Sequence, residues 1–172
     1  MIKNPQLETK RLMLRWIKPS DSPFVLKLLN EPSFIQNIGD RKIRDTAGAE
    51  GYIQKIASDG YEKLGYGSFL VLLLPTLEPI GICSLIKRDY LKDADIGFAF
   101  LSQFEGQGIA TEASKAVIEY CRSAIRLKRI VGIASSSNKA SMRVLEKLGL
   151  KFESLVLPPG ESKEINLLSL EL

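Results

Sequence analysis

The sequence predicts an α+β fold of three layers, in which helices flank a central mixed, mainly antiparallel sheet. Three apolar segments follow one another closely between residues 67 and 100, which is the pattern of an antiparallel meander. A strand, an amphipathic helix and another strand come next, and this order predicts a parallel crossover. Strands near both ends bring the sheet to about seven strands, with about four helices. The chain has 172 residues, so a single domain over residues 1–172 is expected.

The chain opens with a strand and a helix. Apolar residues alternate along Arg11–Ile17, which predicts a strand with one buried face. Ser20–Ser22 precede Pro23, and capping side chains followed by a proline at the first helical position are typical of a helix start. Pro32 is predicted to end this helix.

A second helix is predicted from the capping pair Asp45–Thr46 to about Ser58, with its end at Gly60. Phe34–Arg44, between the two helices, is predicted to be a polar, mobile loop. Such a loop is either a plain connector or one wall of a substrate pocket.

The central meander consists of the segments Gly67–Leu74, Ile80–Arg88 and Asp95–Phe100. The first is apolar enough to be buried on both faces. Apolar residues then recur at helical spacing from Ile109, and Arg129–Ala134 is a short buried strand. This crossover places the intervening turn at the carboxyl end of the sheet, where ligands bind in such folds.

The last elements are a helix and two strands. The polar cluster Ser135–Asn138 is predicted to cap a helix that ends at Gly149. The strands Phe152–Leu157 and Ile165–Leu170 then complete the sheet.

The composition excludes several classes of protein. Apolar residues make up 45% and charged residues 26%, and no signal peptide or membrane span is recognisable, so a cytoplasmic protein is expected. The net charge of +4 is scattered, which argues against dedicated nucleic-acid binding. Cys83 and Cys121 are interpreted as reduced core thiols, and no metal site is predicted. Since the chain has no histidine, acid–base chemistry must use carboxylates, tyrosine, hydroxyls or water.

The stretch Phe104–Ala113 carries the clearest functional signal, since Gly106 and Gly108 lie where a strand gives way to a helix. Both glycines can take positive φ, and the helix start offers free N–H groups to an anion. A plain connecting turn is the alternative. The spacing fits neither a Walker loop nor a dinucleotide fingerprint, whose third glycine is replaced by Thr111. The remaining candidate is the pyrophosphate of coenzyme A.

Four stretches resemble the GNAT superfamily of N-acetyltransferases, in particular the branch that acts on N-terminal amines of ribosomal proteins: Leu7–Arg15, Asp95–Phe98, Gly106–Ala113 and Asn138–Leu150. The resemblance implies the GNAT fold, whose sheet is splayed between its fourth and fifth strands. It also implies direct transfer of an acetyl group from acetyl-CoA to a primary amine. Glu105 departs from the family, which commonly has Arg or Gln there, so its side chain is expected to point into solvent.

The resemblance also implies which residues bind the cofactor. Backbone groups near Phe100 and Leu101 would bond the pantetheine arm, and Asn138 would reach the cofactor or the amine. The backbone amides that would hold the pyrophosphate are those of Gly106, Gln107, Gly108, Ile109, Ala110 and Thr111.

The reaction needs a base for the amine and a proton for the leaving thiolate. Asp95 stands where many members of the family carry a glutamate, so it is the candidate base; a strand-end acid in solvent or in a salt bridge is the alternative. Ser141 is the candidate proton donor, with a plain hydroxyl in a first helical turn as its alternative. Asn138 either contacts the cofactor or the amine in the site, or serves only as the N-cap of the helix.

The acceptor is an amine-bearing substrate that the sequence does not specify further, and a protein N-terminus or a small amine would both fit. The segments Phe34–Arg44 and Tyr61–Tyr66 are expected to select it. An acyl-CoA-binding regulatory module with little or no catalysis is the main alternative function, and a nucleic-acid-associated protein is another. A monomer and a homodimer are both compatible with the sequence.

Overall fold

The computed structural model describes residues 4–172, which form one eight-stranded sheet flanked by five α-helices. The strands lie in the order β1-β2-β3-β4-β5-β6-β8-β7. Their bounds are β1 Gln6–Glu8, β2 Leu12–Trp16, β3 Ser68–Leu73, β4 Glu78–Ile86, β5 Ala94–Phe100, β6 Arg129–Ala134, β7 Lys151–Val156 and β8 Ile165–Glu171. The helices are α1 Ser22–Leu29, α2 Pro32–Asn37, α3 Thr46–Ile56, α4 Ile109–Tyr120 and α5 Lys139–Lys147.

The predicted fold class is confirmed, with one strand and one helix more than expected. All neighbouring strands pair antiparallel except β5 and β6, which pair parallel across the helix α4. The additional strand, β1, has three residues, too few for an alternating pattern to be recognised. It pairs with β2 at the edge of the sheet.

The additional helix, α2, makes the loop prediction for Phe34–Arg44 wrong over residues 34–37. Pro32 ends α1 as expected but also occupies the first position of α2, where its missing N–H costs nothing. Phe34 is buried against the cluster beneath α1 and α3. This apolar anchor holds the segment in place.

The end of α3 also differs from the prediction. The helix does not end at Gly60 but continues as a π-helical segment, Ala57–Glu62, and Gly65 ends it with a φ of +76°. A Cβ on Gly60 would lie 2.6 Å from the Tyr66 carbonyl oxygen. Gly60 therefore serves the close packing of the helix on the chain that follows. Most of the predicted selecting segment Tyr61–Tyr66 is thus helical, with Tyr61 buried.

The sheet separates two apolar clusters, which gives the three predicted layers. One cluster lies beneath α4 and α5 and includes Phe69, Val117 and Leu145; the other lies beneath α1 and α3 and includes Val25 and Ile53. Strand β3 contributes to both clusters and has five buried residues in succession, which matches its apolar sequence. Both faces of the central strands are therefore covered.

Strands β5 and β6 separate along their length. They are paired only at Ala94 with Ile130 and at Asp95 with Val131, although the strands run on to Phe100 and Ala134. The other edge of β6 pairs with β8 along all of its residues. Within residues 4–172, the sheet is therefore open between β5 and β6 toward their carboxyl ends, as the resemblance implied.

Close packing between β4 and β5 leads to a stability prediction. A Cβ on Gly81 would lie 2.2 Å from Phe100 Cδ1 and 2.6 Å from the Ala99 carbonyl oxygen, so Gly81→Ala is expected to destabilise the protein by about 1–3 kcal/mol. Thermal unfolding measures the change. Gly51→Ala in α3 is the control, since its Cβ would meet no other described atom within 4 Å, and it is expected to be neutral or stabilising. Equal melting temperatures for the two variants would contradict the packing argument.

Candidate active site

A turn with two left-handed glycines leads from β5 into α4. Gly106 has a φ of +74° and Gly108, the N-cap of α4, a φ of +76°, so the predicted glycine turn is confirmed. No side chain caps the helix at Gly108, which leaves the first N–H groups of α4 free for an anion. Apart from its two chain neighbours, a Cβ on Gly106 would meet no atom of residues 4–172 within 4 Å. The turn is therefore open to a ligand.

The other residues of the turn differ in exposure. Gln107 is exposed, and its side-chain amide donates to the Gln103 carbonyl at 2.9 Å. Ile109 is buried in the apolar cluster, while Ala110 and Thr111 are half-buried. Glu105 is exposed, which confirms that its side chain points into solvent. The backbone amides of residues 106–111 remain the predicted pyrophosphate ligands.

The turn is fastened to the start of β2 by contacts that sequence reasoning missed. Glu112, in the first turn of α4, accepts hydrogen bonds from Thr9 Oγ1 at 2.6 Å, from the Arg11 backbone N–H at 3.1 Å and from Arg11 Nε at 2.7 Å. Arg11 Nη1 also donates to the Gln107 carbonyl at 3.1 Å. The stretches Leu7–Arg15 and Gly106–Ala113, which carry much of the resemblance, are therefore in direct contact.

Phe100 and Leu101 lie on the side of the opening formed by β5. The Leu101 N–H donates to the Ile80 carbonyl at 3.0 Å, so this donor is engaged within the sheet. Because backbone groups alternate in direction along an antiparallel pair, those of Phe98 and Phe100 face away from β4 and toward the opening. Phe98 thus joins Phe100 as a candidate for binding the pantetheine.

Asn138 and Ser141 lie on the other side of the opening, beyond the end of β6. Asn138 is the N-cap of α5, as predicted, and its Oδ1 accepts the Ser141 backbone N–H at 3.0 Å. Both residues are half-buried. Because β5 and β6 run parallel, and the glycine turn follows β5 while α5 follows β6, the turn and the start of α5 lie at the same, carboxyl end of the separated strands.

Asp95 lies where β5 and β6 are still paired, at the closed end of the opening. The residue is 1% exposed, and its Oδ2 accepts from Arg88 Nε at 2.7 Å. Oδ1 is buried and has no hydrogen-bond partner in the described part of the chain. Burial raises the pKa of Asp95 to about 6, although the charge of Arg88 opposes this shift. The salt bridge, which was the alternative role for this residue, is therefore present. The role of Asp95 as the base stays a prediction.

The two cysteines offer no nucleophile. Cys83 and Cys121 are free and buried, as interpreted from the sequence, and burial raises the pKa of both thiols to about 12. A thiol with such a pKa is almost entirely protonated at neutral pH. Within residues 4–172, no three His, Cys, Asp or Glu side chains converge as a metal site. The helices in this range are also too short or too polar to cross a membrane.

Comparisons with known proteins agree with this geometry. The family model described as "Acetyltransferase (GNAT) domain" matches residues 11–151. A relative from Bacillus subtilis strain 168, described as the uncharacterized N-acetyltransferase YoaA, is 28% identical over 154 residues, which cover 88% of this chain and 86% of the relative.

Solved structures show a similar fold. The ribosomal-protein-S5-alanine acetyltransferase from Vibrio fischeri superposes with a TM-score of 0.82 at 21% identity, covering 97% of this chain and 96% of its own. RimL, a ribosomal L7/L12 alpha-N-protein acetyltransferase solved with coenzyme A, gives a TM-score of 0.83 at 20% identity and covers 98% of both chains. At these identities the likeness supports the fold.

Proposed function

The chain belongs to the GNAT acetyltransferase family, and we propose that it transfers the acetyl group of acetyl-CoA to a primary amine by direct attack in a ternary complex. Membership of this family makes the protein an acetyl-CoA-dependent acyltransferase. One observation supports the proposal most. The left-handed glycines Gly106 and Gly108 expose the uncapped start of α4 beside the place where β5 and β6 separate.

The residues of the opening fit coenzyme A. An anion can approach the backbone at Gly106 because no side chain fills the turn, and the amides of residues 106–111 would hold the pyrophosphate. Backbone groups of Phe98 and Phe100 would bond the pantetheine as an added strand does. Asn138 would contact the cofactor or the amine from the opposite side, with the side-chain N–H groups that capping leaves free.

The chemistry needs two proton transfers. Bound acetyl-CoA supplies a thioester whose carbonyl carbon forms the new bond to the amine nitrogen as the bond to sulfur breaks. Asp95, ionised at neutral pH, would accept the amine proton at Oδ1, directly or through water. The Ser141 hydroxyl would give its proton to the leaving thiolate and take another from solvent, to which Asp95 would release the amine proton. A backbone N–H of β5 near Phe98 would polarise the carbonyl.

The acceptor is proposed to be a protein N-terminal amine or a small-molecule amine. Structures of similar fold include proteins named as acetyltransferases of ribosomal proteins, and this supports testing N-terminal peptides first. The matched range covers most of the chain, which supports treating residues 1–172 as one acetyltransferase domain.

An amine panel tests the proposed function. The protein is incubated with acetyl-CoA and with N-terminal peptides, polyamines, aminoglycosides or amino metabolites, and the release of free thiol is followed. Amine-dependent release is expected with at least one class. If coenzyme A raises the melting temperature but no amine gives turnover, the protein is an acyl-CoA-binding module instead.

A further inference from the structure

Arg11 makes contact with the middle of the glycine turn and with the first turn of the helix that follows it. Its Nη1 donates to the carbonyl of Gln107 inside the turn, at 3.1 Å, and its Nε and Nη2 each lie 2.7 Å from Glu112 Oε2 at the start of α4. Nη2 is also 3.7 Å from the position that a Cβ on Gly108 would occupy. The guanidinium therefore lies against the second half of the turn and the start of α4.

We propose that Arg11 is a positioning residue that sets the glycine turn for the pyrophosphate of the acyl donor. This inference rests on the proposed use of acetyl-CoA. Arg11 would have two effects on the binding of the pyrophosphate. It would fix the orientation of the peptide between Gln107 and Gly108, and it would offset the negative charge of Glu112.

The first effect concerns the peptide that joins Gln107 to Gly108. Gly106 and Gly108 flank this part of the turn, and glycine backbones rotate with little steric restriction. A rotated peptide would present a carbonyl oxygen where the phosphate needs an N–H. The hydrogen bond from Arg11 to the Gln107 carbonyl selects one orientation, so the neighbouring amides are already in place when the ligand arrives.

The second effect concerns Glu112. Burial alone would raise the pKa of this carboxyl, but hydrogen bonds from Thr9 and Arg11 outweigh burial and lower the pKa. Glu112 therefore stays ionised in the first turn of α4, close to the expected pyrophosphate. Arg11 places a positive charge against it, while 42% of the Arg11 side chain remains exposed at the turn. The site thus keeps its attraction for an anion.

The two effects predict a defect that depends on the phosphates of the donor. Arg11→Gln is expected to raise the KM for acetyl-CoA by about tenfold or more, as loss of a charge-assisted hydrogen bond does, with kcat at saturation nearly unchanged. With S-acetylpantetheine, which has the same thioester but no pyrophosphate, wild type and Arg11→Gln are expected to have equal kcat/KM. Initial rates with both donors measure the difference.

A matched control is Arg15→Gln, which lies in β2, the strand that follows Arg11. Arg15 pairs with Asp21 at 2.8 Å, away from the turn, so this change is expected to leave the KM for acetyl-CoA unaltered. In the background of Arg11→Gln, Glu112→Gln is expected to restore part of the affinity, because it removes the uncompensated charge. Failure of this second change to restore any affinity would overturn the charge argument.

Two results would overturn the positioning role: an unchanged KM for acetyl-CoA in Arg11→Gln, or equal losses with both donors, which would indicate a general structural defect. Both presuppose a wild-type protein that turns over acetyl-CoA. A wild type that releases no thiol with any amine would contradict the proposed function itself, so the two failures are distinguishable.

Discussion

Gly108→Glu is expected to lower the affinity for coenzyme A by at least about a hundredfold. Gly108 caps α4 with a φ of +76°, so a side chain is strained there and begins at the edge of the turn. Its carboxylate would stand beside the expected pyrophosphate. Two like charges about 4 Å apart repel by roughly 4 kcal/mol at an effective dielectric of about 20, and exposure reduces this energy only in part. About 2.8 kcal/mol suffices for a hundredfold change.

Calorimetric titration with coenzyme A measures this affinity. Gly160→Glu is the matched control, since Gly160 also has a positive φ, +81°, and its Cβ would meet no other described atom within 4 Å. This variant adds the same charge and a similar backbone strain, but outside the glycine turn. It is expected to bind coenzyme A as the wild type does. Gly108→Ala separates strain from charge and is expected to have the smaller effect. Unchanged affinity in Gly108→Glu would refute the assignment of the turn to the pyrophosphate.

The glycine turn could be predicted because its determinants are local. Gly106 and Gly108 take left-handed φ values that favour glycine, and the amphipathic pattern of α4 begins directly after them. Asn138 likewise precedes a helix whose N–H groups it caps within three residues. Sequence patterns of this kind identify the turn and the cap without any tertiary contact.

The contacts of these residues could not be predicted, because they join distant parts of the chain. Glu112 bonds Thr9 and Arg11, which are more than a hundred residues away along the chain. Nothing local indicates that Glu112 faces β2 instead of solvent. The role of Gly60 could not be predicted for the same reason. Only the close approach of the Tyr66 carbonyl oxygen explains why a glycine occupies this position inside a helical segment.

The strand position of Asp95 depends on local sequence, whereas its contacts depend on residues elsewhere in the chain. Its place near the start of β5 follows from the strand-forming segment Asp95–Phe100, but its partner Arg88 comes from the segment beyond β4. Its Oδ1 has no hydrogen-bond partner in the described part of the chain. The resemblance to the family thus indicated the residue, whereas its burial and raised pKa depend on the tertiary fold.

Asp95→Asn is expected to lower kcat by about a hundredfold or more while leaving the affinity for coenzyme A nearly unchanged. Asn keeps the size of the side chain but cannot accept a proton, and a positioned general base typically contributes 10²–10⁴-fold, here about the lower end. The turn that would bind the pyrophosphate begins beyond the far end of β5, so its geometry is not altered. Steady-state kinetics and calorimetric titration measure the two quantities.

The pH dependence separates a proton acceptor from a purely structural acid. Above a pH of about 6, Asp95 is ionised and can accept the amine proton; below it, the raised pKa keeps the carboxyl protonated. Ionisation of the amine changes the rates of both proteins equally, so its effect cancels in the ratio of the wild-type rate to the Asp95→Asn rate. The ratio is expected to be constant above about pH 7 and to fall as the pH decreases through about 6.

Asp93→Asn is the matched control, because Asp93 precedes β5 and pairs with Arg129 at the closed end of the strands. It removes a carboxylate two residues from Asp95 without altering the opening, and it is expected to retain wild-type kcat and the wild-type pH profile. If Asp95→Asn keeps the wild-type rate at pH 8, Asp95 only pairs with Arg88. The amine proton must then be taken by another carboxylate, by a tyrosine or hydroxyl, or by water, since the chain contains no histidine.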